Sequence, residues 1–449
     1  MSHKYFGTDG IRGKANQHPM TAEFSLKIGM AIGAKFINKE YKNRVVIGKD
    51  TRLSGYIIES ALTSGLTAIG MDVFLVGPTP TPAISMLTKS MRADIGIMIS
   101  ASHNPYYDNG IKIFNNDGSK LSDDDQYDIE KYIDSNLDKY LAKSNELGRA
   151  IRIEDANNRY IEFVKSTFLR NLSLKNLKII IDCANGAAYK VAPQILWELG
   201  ADVIAINNKP DGYNINHNCG STNISNLSQA VIDNNADIGI ALDGDADRLA
   251  VVDENGSQIS GDKLIAIISE RLHDEGKLNR DIVVATQMSN MALEEYLNYR
   301  GISLIRANVG DRNVVNEMKK CQSNFGGEQS GHMILSDYSI TGDALVAALK
   351  ILEFMIVSKA KSSKINNIFI PYPQKLINIS YDKKDNNPLD IIEFREYINS
   401  QNSKLAENGR IFARKSGTEN LIRILVECKS DRALNEICHK INKYIKKLL

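Results

Sequence analysis

Several hallmarks of specialised protein classes are absent from these 449 residues, and each absence excludes something. Cysteine is scarce: Cys183, Cys219, Cys321, Cys428 and Cys438 are odd in number and scattered, and no C-x-x-C pair could hold zinc or a redox disulfide. They read as reduced, structural thiols. Neither sign of charge is in surplus, with 55 Lys and Arg against 54 Asp and Glu, so there is no global basic field of the kind that nucleic acid or an anionic membrane requires. No apolar run reaches the roughly 18 residues needed to span a bilayer, and the opening Met-Ser-His-Lys-Tyr-Phe has no apolar signal core. The expectation is a cytoplasmic protein with a small-molecule partner, no nucleic acid and no membrane. A Walker A loop and a G-x-S-x-G nucleophile elbow are also missing.

What is present begins with an internal repeat. A β-branched strand, a polar turn, a helix stopped by Gly and a second strand recur from Arg44 through Gly70, from Lys178 through Gly200 to Ile206, and from Ile282 through Gly301 to Ile305. Such units favour right-handed crossovers in parallel or mixed sheets, with ligands at loops beyond the strand ends. The length suits roughly three domains. Junctions are expected in the polar stretch Ser144 to Asn158, near the turn Glu254-Asn255-Gly256, and between Lys359 and Pro373. The remaining tail is too small to repeat the unit, and its last helix places Leu434, Ile437, Cys438, Ile441, Ile445 and Leu448 on one face.

Five segments carry chemistry. Asp243-Gly244-Asp245-Ala246-Asp247-Arg248 follows the apolar run Ile238 to Leu242. Alternate side chains of an extended strand stand about 7 Å apart, too far for three carboxylates to share one cation, so the segment must curl to bind magnesium. Otherwise it is a solvated acidic turn. EF-hand spacing fails, because the sixth position is Arg248 and the twelfth Asn255. Asp123-Asp124-Asp125 after Ser122 reads as a helix start. Ser100-Ala101-Ser102-His103-Asn104-Pro105, continuing to Lys112, follows another strand-like run, and Ser102 reads as a nucleophile, a cap or a turn residue. A phosphate-carrying Ser102 beside a magnesium triad, with Lys112 moving protons, would make a phosphoryl-transfer site. Arg414 to Arg423 combines Arg forks, hydroxyls and Gly as a phosphate dianion requires, or is a surface turn. Gly326-Gly327-Glu328-Gln329-Ser330-Gly331-His332 lets a ligand approach the backbone, or is a plain loop. Tyr5 to Gly13 is a Gly-rich opening holding Arg12.

In this order and along essentially the whole chain, Y-F-G-T-D-G-I-R-G, S-A-S-H-N-P-x-x-D-N-G-I-K, the aspartate loop, G-G-E-Q-S-G-H and R-K-S-G-T-E resemble the α-D-phosphohexomutase family, and most closely its bacterial branch acting on glucosamine phosphate. The resemblance implies an α/β fold of three similar domains with mixed sheets plus a smaller C-terminal α+β domain around a central cleft. Its expected bounds are 1–155 with the phosphoserine loop, 156–255 with the aspartate loop, 256–368 with the sugar loop and 369–449 with the phosphate loop. It implies Ser102, Lys112, His103, Arg12 and Arg248 as catalytic, and Ser102, Asp243, Asp245 and Asp247 as ligands of one Mg2+. Glu328, Ser330 and His332 would meet the sugar, and Arg414, Ser416, Gly417, Thr418 and Arg423 its distal phosphate. The implied activity interconverts glucosamine 6-phosphate and glucosamine 1-phosphate through phosphoserine and a 1,6-bisphosphate, feeding UDP-N-acetylglucosamine and peptidoglycan synthesis. A glucose or glucosamine 1,6-bisphosphate is the implied activator, and a homodimer is compatible with it. The alternatives are phosphomannomutase or phosphoglucomutase activity in the same family, an aspartyl phosphatase with Asp243 as nucleophile, or a catalytically silent sugar-phosphate sensor. Two positions depart from the family pattern: Ala246 stands for Gly and Asn420 for Pro. If position 246 needs a left-handed backbone, Ala costs about 1–2 kcal/mol there.

Overall fold

Arg44–Lys49, Lys178–Asp182 and Ile282–Thr286 are β-branched runs without polar alternation, as expected of strands buried on both faces, and they form the inner strands of three sheets. The computed structural model describes residues 3–38, 40–381, 388–415 and 421–448. Each inner strand leads into a helix (Ser54–Ile69, Val191–Glu198, Met291–Tyr299), and the chain leaves each helix through a left-handed glycine, with φ of 105° at Gly70, 101° at Gly200 and 77° at Gly301. It returns as a parallel neighbour, Asp72–Pro78, Asp202–Ile206 or Ser303–Ala307. A second crossover helix (Thr81–Ser90, Ser225–Asp233, Asp311–Cys321) then delivers a third parallel strand to the opposite side, at Ile95–Ile99, Ile238–Leu242 or Phe325–Gly327.

The repeat extends one step beyond the pattern legible in the sequence. Each third strand turns back as an antiparallel partner: Asp108–Asn115, Leu249–Asp253 and Met333–Leu335. The sheets are therefore mixed, and three connections occupy one topological position, the C-terminal end of the third strand. Those connections are residues 100–107, 243–248 and 328–332, which contain Ser102, the aspartates and Glu328. The first sheet is extended by Ile11–Lys14 and Ala150–Arg152, and the second by Gln258–Ile259. The turn at Glu254-Asn255-Gly256 thus closes a hairpin of the second sheet, with Gly256 at φ 76°.

The first unit has its own core, whereas the second and third share one, in which the apolar helix Ala344–Ser358 is buried over most of its length, Ala344 to Glu353. The smaller fourth unit pairs Leu421–Cys428 between Gln374–Ser380 and Gly409–Lys415, all antiparallel, and packs helices Ile392–Leu405 and Asp431–Leu448 on them. Leu434, Ile437, Cys438 and Ile441 are buried in its core, as the sequence periodicity requires. No helix among the described residues is long and apolar enough to cross a membrane.

Candidate active site

The strands Ile95–Ile99 and Ile238–Leu242 are fully buried and end side by side, bringing the serine and aspartate loops together. Ser102, 2% exposed, sits at φ 51° and donates its hydroxyl to Asp243 Oδ2 at 2.5 Å. His103 Nδ1 lies 3.4 Å from the same hydroxyl oxygen. The aspartate loop curls, as three carboxylates sharing a cation require. Ala246 N donates to Asp243 O at 3.1 Å, and the amides of Asp247 and Arg248 both donate to Asp243 Oδ1 at 3.1 Å. Ala246 takes φ 57°, so Ala does occupy a left-handed position. The result places one carboxylate oxygen from each of Asp243, Asp245 and Asp247 within 4.8 Å of one another. Lys112, on Asp108–Asn115, reaches Asp245 Oδ2 at 2.8 Å, Asp9 Oδ2 at 3.2 Å and Asp247 Oδ2 at 3.3 Å.

Three buried carboxylates cannot all ionise cheaply beside one ammonium. Burial and the charges of Asp247 and Asp245 push Asp243 well above the usual carboxylate range. At Asp247 burial also acts upward, but Lys112, His332 and Arg248 outweigh it and hold the carboxyl well below that range. Burial acts against the Lys112 ammonium, and Asp245, Asp9 and Asp247 overcome it, keeping lysine charged. His103 is pushed down to about 4 by burial and by the cations Arg248 and Arg12, so its ring is neutral near pH 7. Asp245 Oδ1 and Asp247 Oδ1 are buried without a hydrogen-bond partner. Orphaned hard oxygens within reach of each other are the donor set of a hard divalent cation, so the group fits a metal ion.

The residues singled out in the sequence fall into two sets. Ser102, His103, Lys112, Asp243, Asp245, Asp247 and Arg248 converge directly, and Arg12 joins them through its ion pair with Asp9. Across the cleft, Glu328 Oε1 accepts from Gly310 N at 2.9 Å, and Ser330 donates to Glu328 Oε2 at 3.4 Å. His332, 2% exposed, lies 3.8 Å from Asp247 Oδ1 and 4.0 Å from Asp311 Oδ2, so its ring nitrogens face the aspartate loop and the start of helix Asp311–Cys321. Arg414 and Arg423 sit directly opposite each other on paired strands. Burial and then the neighbouring Arg423 lower the Arg414 pKa, against the pull of Glu328, whose charge reaches it from the third unit. Ser416, Gly417, Thr418 and Asn420 lie outside the described residues.

Sequence reasoning missed several residues that the fold recruits. Asp9 pairs with Arg12, Lys112 and Lys120, and Lys120 also pairs with Asp311, tying the first unit to the third. Thr81 donates to Asp245 Oδ2 at 2.5 Å. A signal existed for Asp9, which lies inside the Gly-rich opening that drew attention to Arg12. Thr81 and Lys120 stand in no local pattern.

Four family models match in order: Phosphoglucomutase/phosphomannomutase, alpha/beta/alpha domains I, II and III, over residues 3–139, 158–256 and 260–372, and the C-terminal domain over 376–443. The chain belongs to this phosphoglucomutase/phosphomannomutase family, the α-D-phosphohexomutases. It is 52% identical over 441 residues to a phosphoglucosamine mutase of Parvibaculum lavamentivorans, covering 98% of each chain. It is 53% identical over 437 residues to one from Bartonella tribocorum, covering 97% of this chain and 96% of the relative. Among solved structures it superposes on a phosphoglucomutase/phosphomannomutase family protein of Burkholderia thailandensis with TM-score 0.81 at 23% identity, covering 100% of this chain and 98% of that one. It also superposes on Aspergillus fumigatus N-acetylphosphoglucosamine mutase in complex with GlcNAc-6P and magnesium, with TM-score 0.65 at 17% identity, covering 99% and 96%. At those identities the superpositions speak for the fold alone.

Proposed function

We propose that this chain is a phosphoglucosamine mutase that carries its phosphoryl group on Ser102. The observation that carries the reading is the hydroxyl of Ser102, held in a left-handed turn and donated at 2.5 Å into a buried cluster of three aspartates and a lysine. In the first half-reaction the Ser102 Oγ–P bond breaks and a bond forms from phosphorus to the free hydroxyl oxygen of glucosamine 6-phosphate, giving the 1,6-bisphosphate. The hydroxyl proton leaves the sugar and a proton returns to Ser102 Oγ. Lys112, bonded to the triad, is our choice for moving it, with His103, Arg12 and Arg248 around the serine. The bisphosphate then turns over and returns its other phosphoryl group to Ser102, leaving glucosamine 1-phosphate for UDP-N-acetylglucosamine and peptidoglycan synthesis.

Asp243, Asp245, Asp247 and a Ser102 oxygen would hold Mg2+, whose charge, when bound, stabilises the charge developing on the transferred phosphoryl group. Glu328 and Ser330 serve the sugar side, Arg414 and Arg423 the distal phosphate, and His332, expected at the sugar, instead backs the aspartate loop because its buried ring faces Asp247 and Asp311. A free 1,6-bisphosphate acts as activator, and the enzyme works in the cytoplasm, with a homodimer compatible with this reading. Glucosamine is favoured over glucose and mannose by the 51–53% full-length identity to phosphoglucosamine mutases.

The test is Ser102→Ala, which should abolish phosphate incorporation and nearly all isomerisation. Substantial turnover by a contamination-free Ala protein would end the assignment. Acid-labile aspartyl phosphate in the parent would favour the phosphatase alternative, and saturable binding without turnover the sensor.

A further inference from the structure

The serine loop presents Ser102 and His103 to the aspartates, but its backbone is held by something else. Asn104 N closes a turn onto Ala101 O at 3.0 Å, and this leaves the carbonyls of Ser102 and Asn104 directed away from the sheet ladder. Two side chains claim both. Arg52, fully buried and paired with Asp50, donates Nη2 to Ser102 O at 3.1 Å and to Asn104 O at 2.5 Å. Asn216 Nδ2 donates to the same two oxygens at 2.9 and 3.0 Å. Arg52 belongs to the first unit. Asn216 comes from the second, 114 residues away in sequence, on the long connection that follows Asp202–Ile206.

Asn216 is itself anchored beside the metal loop. Its φ is 57°, a conformation asparagine tolerates better than most residues, and its amide donates to Ala184 O at 2.9 Å. Between it and the serine loop runs Gly244, in the middle of the aspartate run. A Cβ at Gly244 would lie 2.6 Å from Ser102 O and 2.8 Å from Asn216 Nδ2, so the backbones approach as closely as only glycine permits. The carbonyl of the phosphate-carrying residue is thus gripped from its own unit by Arg52, from the second unit by Asn216, and against the metal loop by the absence of a side chain.

We infer that Asn216 is a positioning residue for phosphoryl transfer: it fastens the serine loop of the first unit onto the aspartate loop of the second, so that Ser102 Oγ and the carboxylates keep one alignment through both half-reactions. The inference rests on the function proposed above. Asn216 shares no hydrogen bond with the sugar-side residues Glu328 and Ser330 or with Arg414, so its loss should slow transfer without weakening substrate binding. Misplacing a reacting group by a fraction of an ångström to 1 Å costs roughly ten- to hundredfold in rate.

The test uses full-length protein phosphorylated on Ser102, mixed with glucosamine 6-phosphate in excess magnesium, following loss of phosphate from the serine in a single turnover. Two variants are compared with the parent. Asn216→Asp keeps shape and backbone preference but presents oxygen where the donor stood. Asn216→Gly keeps the left-handed backbone and removes the side chain. Both should transfer about ten- to a hundredfold more slowly, with KM for the sugar phosphate within about twofold of the parent and melting temperatures little changed. Transfer by either variant at half the parental rate or more would overturn the inference. So would a rise in KM matching the loss in kcat, which would mark a general loosening of the cleft. If the parent itself transfers nothing from Ser102, the proposed function fails and the inference falls with it; a fast parent with fast variants sinks the inference alone.

Discussion

Ser102 and Ala246 share an unusual property: both are non-glycine residues held with positive φ, at 51° and 57°, in the two loops that meet at the site. For an L-residue that conformation costs about 1–2 kcal/mol, and at Ser102 the hydrogen bonds to its carbonyl and hydroxyl offset it. Ala246 is different, because the family pattern has Gly there. Ala246→Gly would relieve about 1–2 kcal/mol of strain, lose about 0.8 kcal/mol of methyl burial in the core, and gain unfolded-state entropy worth about 0.4–1 kcal/mol. These nearly cancel. The expected melting temperature is within about 2 °C of the parent, and a larger rise in thermal unfolding would mean the loop is more strained than its φ implies. Asp245→Asn tests the metal set at the same scale. Its Oδ2 accepts from Thr81 and Lys112, which an amide oxygen also does, so the fold should persist. A neutral ligand replaces a charged one, and magnesium titration should shift to higher concentration. An unchanged titration would move the metal elsewhere.

Among the elements, the helix Ala344–Ser358 carries the clearest pH signature. Its N-cap, Asp343, is buried, accepts from the amides of Leu345 at 3.0 Å and Val346 at 3.1 Å, and receives the Tyr160 hydroxyl at 3.0 Å. Burial raises its pKa from 3.8 to about 6 against those bonds. Between these two values the folded chain binds the proton more tightly than the unfolded one, so stability falls as pH rises through that window, by about 3 kcal/mol when complete. Asn caps helices as well as Asp does and does not titrate. Relative to the parent, Asp343→Asn should therefore gain stability from pH 4 to pH 7, read as the difference in melting temperature, and a flat difference would show that Asp343 is ionised throughout. The elements legible beforehand were those with long local patterns: the repeated inner strands, their glycine-stopped helices, the Ser122 cap and the amphipathic last helix. Phe325–Gly327 and Met333–Leu335 are three residues each, and the first contains two glycines; Phe325–Gly327 becomes a strand by pairing with the distant Ile282–Thr286, and Met333–Leu335 by folding back onto it, which no local propensity announces. For the same reason the site motifs could be read, because each loop is contiguous, whereas Thr81 and Asn216 could not, since their partners lie more than a hundred residues away.

At the scale of the whole molecule, the fourth unit acts as a cantilever. It docks on the third through one end of its sheet: Glu427 Oε1 accepts from Met291 N at 2.7 Å, Arg410 bonds Ser289 O and Glu427, and Asn290 exchanges two 3.0 Å hydrogen bonds with Tyr372. Arg410 pairs with Glu427 and Arg414 with Arg423 in the same ladder. Residues four apart along a strand share a face, so the face that docks also carries the arginine pair, about 13 Å farther on. Two like charges directly opposite each other destabilise a sheet, and an anion between them relieves it. A mutase must hold its intermediate in two poses that exchange C1 and C6, so under the proposed function this one pair would grip whichever phosphate is not reacting. Arg423→Ala removes a charge-assisted contact of about 1.5–3 kcal/mol, and kcat/KM should fall by roughly one to two orders of magnitude without loss of thermal stability. Equal losses in the two net directions would prove nothing, because thermodynamics fixes the ratio of forward to reverse kcat/KM. Binding decides it: with Ser102 phosphorylated, the affinities of the Ala protein for the 1-phosphate and the 6-phosphate, measured separately, should weaken by similar factors. Loss confined to one isomer would show that the fourth unit serves a single orientation, and the other phosphate would need a different grip.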